Sequence, residues 1–536
     1  MTNYQFTGGT ICAPATIPGT GAISIIRVSG KESLAIADKV IDTKGVPIAE
    51  TEGYRLRYGT VFEADGSVLD NVIVSVFRAP HSYTGENSVE ISCHASRFIV
   101  NKILELLVNA GARIAAPGEF TRRAFVNGKM DLAQAEAVAD VIASQSAASH
   151  RVAMNQLKGG FSSELKVLRE KLLTMTSLLE LELDFSEEDV EFASRKELGQ
   201  LVDDSLTHIG RLTASFSRGN AIKNGVPVAI VGATNTGKST LLNALLGEER
   251  AIVSDIAGTT RDTIEETLNI DGILFRFIDT AGIRETDETI EKIGIDRTFK
   301  KLGEAAVVLG MTDLSRGEAA VLEDADFILS KVNEMGGVKN IAAENDGSET
   351  GGASPAETGG AYQHGHGDGQ ERKVVILVNK CDVAGDFYRD DNGTGDVSGN
   401  DLGKNMAEIG YNKNVNHDNN IVSLIENKYD NCKVIPISAK TGKELSTLTN
   451  TLGEIGSEIT GSTDETLVTN VRHYEALVRA ASALERVRAG LHIATLPPDL
   501  IAQDLREALY HLGEIVGEIS TDETLGNIFR NFCIGK

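Results

Sequence analysis

Cysteine and proline are both scarce in this 536-residue sequence, which contains 5 cysteines and 10 prolines. The cysteines are scattered, odd in number and without CxxC spacing, which argues against a disulfide framework or a zinc knuckle and predicts reduced thiols. No proline occurs between Pro117 and Pro227, which favours helical structure in that stretch.

Long apolar runs and a positive net charge are also missing. The apolar runs, such as Val374 to Val378, fall far short of the roughly 18 residues that cross a bilayer, and Met1 to Phe6 lacks a basic region followed by an apolar stretch. We therefore expect a cytoplasmic protein. The 52 Lys and Arg against 77 Asp and Glu give a net charge of −25, which leaves no overall basic surface for nucleic acid. Any RNA contact must be local or supplied by a partner.

What is present is the composition of an ordinary globular protein, with 41% hydrophobic and 24% charged residues and a length that suits about three or four domains. Residues 1–128 contain short β-type runs, Ile23 to Val28 and Asn71 to Phe77 among them, and one helical pattern, Phe98 to Val108. They predict an α+β domain. In residues 129–222, apolar residues three and four apart predict the first part of an all-α domain.

Residues 223–455 alternate strand and helix patterns, which predicts an α/β domain with a parallel sheet. Its predicted strands include Val228 to Val231, Leu274 to Ile278, Val374 to Val378 and Val434 to Ile437. Residues 456–536 return to helical patterns, from Glu475 to His492 and from Asp499 to Val516. We therefore predict that the α/β domain is inserted into a helical domain whose second part is residues 456–536.

Two polar segments interrupt the α/β region, near residues 345–370 and 385–420. Both are predicted to be loops, and the first is predicted to be disordered, because it has almost no large apolar side chain to bury. His364 and His366 in the first segment lack the further ligands that a closed metal site needs. The run Leu309 to Asp313 is predicted to be a weakened strand.

The most specific motif is the stretch Gly232 to Ser239, which fits the phosphate-loop pattern GxxxxGK[ST] between a predicted strand and a predicted helix, Thr240 to Gly247. Its glycines let backbone N–H groups and the helix N-terminus face phosphate oxygens. Lys238 adds charge at the β and γ phosphates, and the Ser239 hydroxyl is a candidate Mg²⁺ ligand.

Further motifs of a guanine-nucleotide site follow in order. Gly258 to Asp262 supplies a threonine for Mg²⁺, and Asp279 to Gly282 supplies a carboxylate and a mobile glycine beside the γ phosphate. Asn379 to Asp382 offers a carboxylate that accepts both N–H groups of the guanine edge, and Ser438 to Lys440 closes the base pocket. This set resembles the motifs of the translation-factor-like GTPases and predicts a P-loop GTPase domain that prefers guanine to adenine.

The residues of these motifs and their neighbours are the predicted nucleotide-binding set: Asn235, Thr236, Gly237, Lys238, Ser239, Thr240, Ser254, Asp255, Ile256, Ala257, Gly258, Thr259, Thr260, Asp279, Thr280, Ala281, Gly282, Asn379, Lys380, Asp382, Ser438, Ala439 and Lys440. Ile283 stands where Ras-like enzymes carry the glutamine that positions the attacking water, so another group must replace it. An extra cation near Asn235 is one candidate.

The flanking sequences carry a more specific resemblance. The chain contains Pro117 to Phe125, Lys129 to Glu136 and Leu512 to Ile519, and it ends with Phe532 to Lys536. Together these segments resemble the MnmE (TrmE) family of tRNA modification GTPases across the N-terminal domain, the helical domain, the GTPase motifs and the C-terminus. Only the two polar segments have no counterpart in that family.

The resemblance implies that the N-terminal domain binds tetrahydrofolate and forms a homodimer. It further implies that the chain works with the FAD protein MnmG in a heterotetramer-type complex. Together they would add a carboxymethylaminomethyl or aminomethyl group at carbon five of the wobble uridine of certain tRNAs. The implied folate is methylene-tetrahydrofolate or a 5-formyl analogue.

Matching motifs carry the implied folate contacts onto Arg27, Glu90, Lys129 and Lys536. Each also has an ordinary interpretation: Arg27 as a strand-end cap, Glu90 as a solvated strand residue, Lys129 as a loop lysine and Lys536 as a frayed terminus. A pterin and a glutamate tail do need carboxylate and cationic partners, respectively.

The same resemblance implies K⁺-dependent GTP hydrolysis by two GTPase domains that meet face to face. Catalysis would rest on Glu291, Lys238 and Asn235, with Glu291 orienting water through a further water. Mg²⁺ would bind Ser239 and Thr260. K⁺ would bind the Asn235 side chain and the carbonyl oxygens of Ser254, Ile256 and Thr259.

Departures from the family pattern bear on both sites. Thr236 stands where the family usually has alanine, which is expected to shift nucleotide affinity. Cys93 to Ser96 replaces a stretch that usually ends in two glycines, which bears on the shape of the pterin pocket. Cys533 is either a buried thiol near the folate site or a reactive thiol, and sequence alone does not decide between the two.

Two other functions remain open at this point. A ribosome-assembly or signalling GTPase would share the nucleotide motifs but would leave Arg27, Glu90 and the C-terminal ending unexplained. A folate-dependent one-carbon enzyme with a merely structural nucleotide domain would leave the intact phosphate and guanine motifs unexplained.

Overall fold

The computed structural model describes residues 8–184, 195–249, 266–278, 303–334, 372–382, 417–429, 432–461, 465–493, 497–519, 521–530, 532 and 535. The chain forms two compact units. The terminal unit comprises Met1–Ser144, Arg151–Ala214 and Thr466–Lys536, and the central unit comprises Gln145–His150 and Ser215–Glu465. The main segment of the central unit thus interrupts the sequence of the terminal unit.

A seven-stranded sheet forms the N-terminal part of the terminal unit. Its strands are β1 Ile11–Pro14, β2 Ile23–Ser29, β3 Ile41–Asp42, β4 Arg55–Phe62, β5 Val68–Phe77, β6 Ser88–His94 and β7 Arg113–Ile114. They lie in the order β3-β4-β5-β6-β2-β1-β7, and all neighbours are antiparallel except β1 and β7. Alternation along β5 buries Val72 and Val74 and leaves Ile73 exposed, so the hydrophobic core lies on one face.

Three helices accompany this sheet: α1 Ser33–Val40, α2 Arg97–Asn109 and α3 Glu119–Val126. The first two pack their apolar residues, including Ile36 and Leu107, against the core face. The sequence pattern predicts only α2, so that prediction of a single helix is wrong. Both missed helices have only eight residues, which is too short for a clear helical period, and α3 buries Arg123, which a sequence pattern assigns to the surface.

The helical segment of the terminal unit begins after residue 131. Its first helices are α4 Leu132–Ala143, α5 Ala147–Leu157, α6 Gly160–Asp184 and α7 Arg195–Ala214. The first turn of α5, as far as His150, belongs to the central unit. The side chain of Asp131 accepts a hydrogen bond from the Gln134 amide, and the Gln134 side chain accepts one from the Asp131 amide. This capping box fixes the start of α4, close to where the sequence changes character.

The central unit is a sheet covered by helices on both faces. Its elements are α8 Phe216–Asn224, β8 Val226–Gly232, α9 Lys238–Glu249, β9 Glu266–Ile270, β10 Ile273–Ile278, β11 Val307–Asp313, α10 Glu318–Glu334, β12 Lys373–Asn379, α11 His417–Lys428, β13 Cys432–Pro436 and α12 Leu445–Thr460. The strand order is β13-β12-β11-β8-β10-β9, parallel except for the edge strand β9. Helices α9 and α12 share one core with the sheet, and α10 and α11 share the other.

Two predictions about this unit are wrong. Strand β11 is not weakened, because it is buried throughout and pairs with β8 on one side and β12 on the other. Gly310 is there for packing, since a Cβ at this position would lie 2.7 Å from Ile376 Cδ1. The second polar segment is not a loop as far as residue 420, because α11 begins at His417. Most of that segment, and the first one with its two histidines, lie outside the described residues.

The chain returns to the terminal unit with α13 Val471–Leu491, α14 Pro498–Val516 and α15 Asp522–Arg530. Helix α13 packs against α7 and α14, and α14 packs against α6. The structure therefore brings the early and late helical segments into one bundle. Across the described ranges, no helix has both the length and the apolar composition that a membrane span needs.

A buried ionic cluster joins these two helical segments. Glu136 on α4 receives two hydrogen bonds from Arg472, at 2.9 and 3.0 Å, and its Oε2 lies 2.7 Å from His473 Nε2. Arg472 also donates to the carbonyl oxygen of Glu514 on α14. Burial alone would raise the pKa of Glu136, but His473 and Arg472 outweigh it and lower the pKa to about 2.

We predict that Glu136→Gln lowers the unfolding free energy of the terminal unit by about 3–5 kcal/mol, because it leaves the buried His473 and the partly buried Arg472 without their counter-charge. Urea-induced unfolding at neutral pH measures this loss. The loss of stability is fully present above pH 4.5, the pKa of this carboxyl in the unfolded chain. It disappears as the pH falls through about 2, because the carboxylate of the folded protein protonates there. Glu507→Gln, which removes an exposed partner of Arg486, is the control and costs less than about 1 kcal/mol. Equal losses in the two variants would contradict the prediction.

Candidate functional sites

The phosphate-loop motif connects the end of β8 to the start of α9. Asn235 and Gly237 adopt left-handed backbone conformations, with φ of 64° and 99°. A Cβ on Gly237 would lie 2.4 Å from Asn379 Nδ2, and a Cβ on Gly232 would lie 2.3 Å from the Met311 carbonyl oxygen. Glycine is therefore required at both ends of the loop because neighbouring strands come so close.

Lys238 is the first residue of α9 and folds back over the loop. Its Nζ donates hydrogen bonds to the carbonyl oxygens of Gly232 at 3.0 Å and Ala233 at 2.8 Å. Burial lowers the pKa of this lysine. Ser239 and Thr240 follow in the first helical turn, where the backbone N–H groups of a helix N-terminus and the helix dipole favour an anion.

Thr236, the residue that departs from the family pattern, braces the loop from within. Its side chain is fully buried, and its hydroxyl donates to the Ala233 carbonyl oxygen at 2.9 Å. An alanine in its place would leave that bond unmade. The departure is thus accommodated by one added hydrogen bond inside the loop.

One buried amide connects the phosphate loop with the residues predicted to contact the base. Asn379 Nδ2 donates to the Thr236 carbonyl oxygen at 2.7 Å, and its Oδ1 accepts from the Ala439 amide at 2.9 Å. Asn379 ends β12, and Ser438 to Lys440 follow β13. The carboxyl ends of neighbouring parallel strands therefore place these three motifs at one edge of the sheet, where open α/β sheets bind ligands.

The remaining predicted nucleotide residues fall in two groups. Lys380 and Asp382 follow Asn379 directly, and the Cys381 amide between them donates to the Ile437 carbonyl oxygen at 3.2 Å. The other predicted residues lie outside the described part of the chain: Ser254, Asp255, Ile256, Ala257, Gly258, Thr259, Thr260, Asp279, Thr280, Ala281, Gly282 and Glu291.

A second group of predicted residues meets on the seven-stranded sheet. Arg27 on β2 and Glu90 on β6 are register partners, and Arg27 Nη2 lies 2.8 Å from Glu90 Oε1. Arg27 lies within its strand, which continues to Ser29, so the alternative of a strand-end cap is wrong. Glu90 is not simply solvated either, because it is half-buried and paired with Arg27.

Two aromatic rings that sequence reasoning missed flank the Arg27 guanidinium. Its central carbon lies 5.0 Å from the Tyr83 ring centroid and 5.6 Å from that of Phe120. Arg27 Nη1 is buried without a hydrogen-bond partner in the structure. Phe120 lies in a motif that the sequence singles out, whereas nothing in the sequence pattern marks Tyr83. The arrangement presents one free cationic donor between two aromatic faces.

Of the two lysines predicted to contact folate, Lys129 is among the described residues and Lys536 is not. Lys129 is exposed and donates to the Pro80 carbonyl oxygen at 3.0 Å, on the loop that also carries Tyr83. Lys536 and Cys533 lie outside the described residues. Gly535 is described, and a Cβ on it would lie 2.1 Å from the Pro14 carbonyl oxygen, so the chain end packs closely against β1.

Four of the five cysteines are described, and all four are buried free thiols: Cys12, Cys93, Cys381 and Cys432. Burial raises the pKa of Cys12, Cys93 and Cys432 to about 11. These three are therefore protonated and unreactive at neutral pH.

Comparison with known proteins identifies the class first. The profile of the GTP-binding protein TrmE N-terminus matches residues 10–129, and that of the MnmE helical domain matches residues 132–533. Curated proteins named tRNA modification GTPase MnmE are similar over nearly the whole chain. That of Parabacteroides distasonis is 46% identical over 98% of this chain and 100% of its own, and that of Porphyromonas gingivalis is 44% identical over 99% of each.

These matches define a multidomain protein with a TrmE-type N-terminal domain and an MnmE-type helical domain. The chain belongs to the MnmE family of tRNA modification GTPases. Among solved structures, a GTP-binding protein from Sulfolobus solfataricus in complex with GDP covers 55% of this chain and 67% of its own, with a TM-score of 0.25 and 16% identity. Similarity at that level does not establish a shared fold.

We predict that Asn379→Ala destabilises the central unit by about 2–4 kcal/mol, because the Thr236 carbonyl and the Ala439 amide both lose their buried partner. Unfolding by urea and faster hydrogen exchange at the Ala439 amide measure the change. Asn269→Ala is the matched control, since the Asn269 amide also donates to a carbonyl oxygen, that of Gln145, and accepts from a backbone amide, that of Gly272, but in a more exposed position. An unchanged Ala439 exchange rate would refute the prediction.

Proposed function

We propose that the central unit is a P-loop GTPase domain that binds and hydrolyses GTP at the carboxyl edge of its six-stranded sheet. The observation that carries this proposal is the Asn379 bridge between the phosphate loop and the 438–440 segment. Lys238 would exchange its two loop carbonyls for the β and γ phosphates, and Asp382 would accept the N–H groups of guanine.

The described residues also offer suitable oxygen ligands for cations. The Ser239 hydroxyl lies at the start of α9, and Asn235 is exposed in the loop, so its amide oxygen is accessible. Hard cations such as Mg²⁺ and K⁺ prefer such oxygens. We propose Mg²⁺ at Ser239 and Thr260, and K⁺ at Asn235 with the carbonyl oxygens of Ser254, Ile256 and Thr259. Bound cations would neutralise the charge that develops on the transferring phosphoryl group.

Within this mechanism, the chain's own groups position the reactants. Lys238 and the helix N-terminus would orient the phosphates, while Glu291 would hold the attacking water through a second water. Two such domains would meet face to face during hydrolysis.

We predict that GTP hydrolysis by the full chain is at least about tenfold faster in potassium than in sodium at equal ionic strength, because K⁺ supplies charge where an arginine finger acts elsewhere. Asn235→Ala should abolish most of this difference. Phosphate release measured in both salts tests the prediction. Asn269→Ala, a change of the same type on β9, should keep the potassium response. Equal rates in the two salts for the unmodified chain would contradict potassium dependence while leaving GTP binding intact.

The terminal unit would supply the folate site. The proposed ligand is methylene-tetrahydrofolate or a 5-formyl analogue, with contacts from Arg27, Glu90, Lys129 and Lys536. The free Nη1 of Arg27 between two aromatic rings supports this proposal, because a flat heterocycle with polar edges needs both stacking surfaces and charged partners.

We predict that Arg27→Met weakens binding of 5-formyl-tetrahydrofolate by about 10- to 100-fold, as expected for the loss of a charged hydrogen-bond donor. Equilibrium titration of the full chain measures the affinity. Arg55→Met is the control, because Arg55 is exposed and pairs only loosely with Glu52 at 3.5 Å on β4, away from β2. Similar affinities in the two variants would exclude Arg27 from the site.

The same unit offers a surface for the proposed homodimer. Leu56 and Tyr58 on β4 are each 67% exposed, and Tyr58 is the register partner of Ile73, which is 47% exposed. Exposed apolar side chains on neighbouring strands form an apolar patch, and such patches often mark protein–protein interfaces. We propose that this patch lies in the homodimer interface.

The relatives are named tRNA modification GTPases, which supports a role in tRNA modification. We propose that the homodimer works with MnmG and modifies carbon five of the wobble uridine of certain tRNAs. The modification would be a carboxymethylaminomethyl or aminomethyl group. Because this chain carries a net charge of −25, we infer that MnmG supplies most of the grip on tRNA. Tight, salt-sensitive tRNA binding by this chain alone would contradict that inference.

A further inference from the structure

An ion pair between a buried aspartate and a partly exposed lysine lies beside the proposed guanine pocket. Asp313 Oδ2 at the end of β11 lies 2.6 Å from Lys380 Nζ, and the Asp313 side chain is only 7% exposed. Asp313 and Asn379 are register partners on β11 and β12, so the carboxylate lies next to the residue that precedes Lys380. The sequence motifs include Lys380 but give no role to Asp313.

The Asp313 carboxylate is held in place from its other side. Its Oδ1 accepts hydrogen bonds from the Ser315 amide at 3.0 Å and the Ser315 hydroxyl at 2.6 Å, at the start of the short 3₁₀ helix Leu314–Arg316. Burial alone would raise the pKa of Asp313, but hydrogen bonds from Lys380 and Ser315 lower it. The Asp313 carboxylate is therefore ionised and fixed, with Oδ1 bonded to Ser315 and Oδ2 paired with the Lys380 ammonium.

Lys380 is constrained at both ends. Its backbone has a left-handed φ of 68°, which a side-chain-bearing residue adopts only when its surroundings impose it. The bonds of Asn379 to the phosphate loop and of the Cys381 amide to Ile437 hold that backbone from either side. Asp313 holds the ammonium. The four-carbon stem of Lys380 therefore runs between two fixed points.

We propose that Asp313 is a positioning residue of the nucleotide site, which holds the Lys380 stem as a preformed wall against the flat face of the guanine base. This inference rests on the proposed guanine-nucleotide function. Without the carboxylate, the lysine side chain has many rotamers, and nucleotide binding must then order it at an entropic cost. Asp313 thus acts on the face of the base through the Lys380 stem, whereas Asp382 would accept hydrogen bonds from the edge of the base.

The test is titration calorimetry of the full chain with GDP and with inosine diphosphate, which lacks the amino group that Asp382 would recognise. Asp313→Asn keeps the shape and the Ser315 contact but removes the charge. We expect it to weaken both nucleotides by the same factor, about tenfold, so that their affinity ratio stays unchanged. A change in the ratio, or a loss below twofold, would overturn the proposal.

Two further variants separate positioning from folding. Lys380→Met keeps most of the stem and loses the anchored ammonium, so it should weaken GDP about as much as Asp313→Asn. In the Lys380→Met background, Asp313→Asn should cause no additional loss, because Asp313 acts through Lys380. An additive loss in the double variant would show that Asp313 acts by another route.

Asp326→Asn is the matched control. Asp326 on α10 pairs with Lys428 at 2.7 Å, which is a second Asp–Lys pair of the central unit that belongs to no nucleotide motif. Its loss should leave GDP affinity within twofold, and melting temperatures of all variants should confirm that they fold. If the unmodified chain binds no guanine nucleotide, the proposed function itself fails and this inference fails with it. If the unmodified chain binds GDP and Asp313→Asn binds it with an affinity within twofold of that, only the inference fails.

Discussion

The buried pairing of Glu136 with Arg472 and His473 is the interaction on which the terminal unit depends most. It joins two segments that are 336 residues apart in the chain, and the central unit lies between them in sequence. The Glu136 carboxylate is acceptable in the interior only because Arg472 and His473 face it. The helical bundle therefore requires both ends of the chain, which makes a long insertion between them compatible with one cooperative structure.

In the central unit, a neutral side chain connects segments that are distant in sequence. Asn379 uses its amide N–H and its amide oxygen to connect loops that follow β8 and β13, and it ends β12 itself. In a parallel sheet, all carboxyl ends lie at one edge, so loops that are far apart in sequence become neighbours there. Close approach of those loops explains why Gly232 and Gly237 admit no side chain. The phosphate loop is thus shaped by its neighbours at the edge of the sheet.

Regular elements with strong apolar patterns were predictable from sequence, and short or unusual elements were not. The patterns around β8, β12, α13 and α14 match the structure to within a few residues, because buried strands and amphipathic helices have clear periods. Helix α1 was missed because eight residues show barely two turns. The run Leu309 to Asp313 in β11 was predicted to be a weakened strand, and only the approach of Ile376 shows why a glycine lies within it.

The sequence by itself determined the chemistry available to this protein: a phosphate-loop motif, a guanine-type motif and charged residues in a TrmE-type N-terminal domain. Tertiary structure decided which of these groups meet. Arg27 and Glu90 are 63 residues apart and become partners through the register of β2 and β6. The Arg27 guanidinium also lies near the rings of Tyr83 and Phe120. Asp313 and Lys380 are 67 residues apart and meet at the ends of adjacent strands. Local motifs identify a reactive group, whereas strand order and register determine which residues it contacts. Strand order and register arise from the burial of whole sheets rather than from neighbours in sequence.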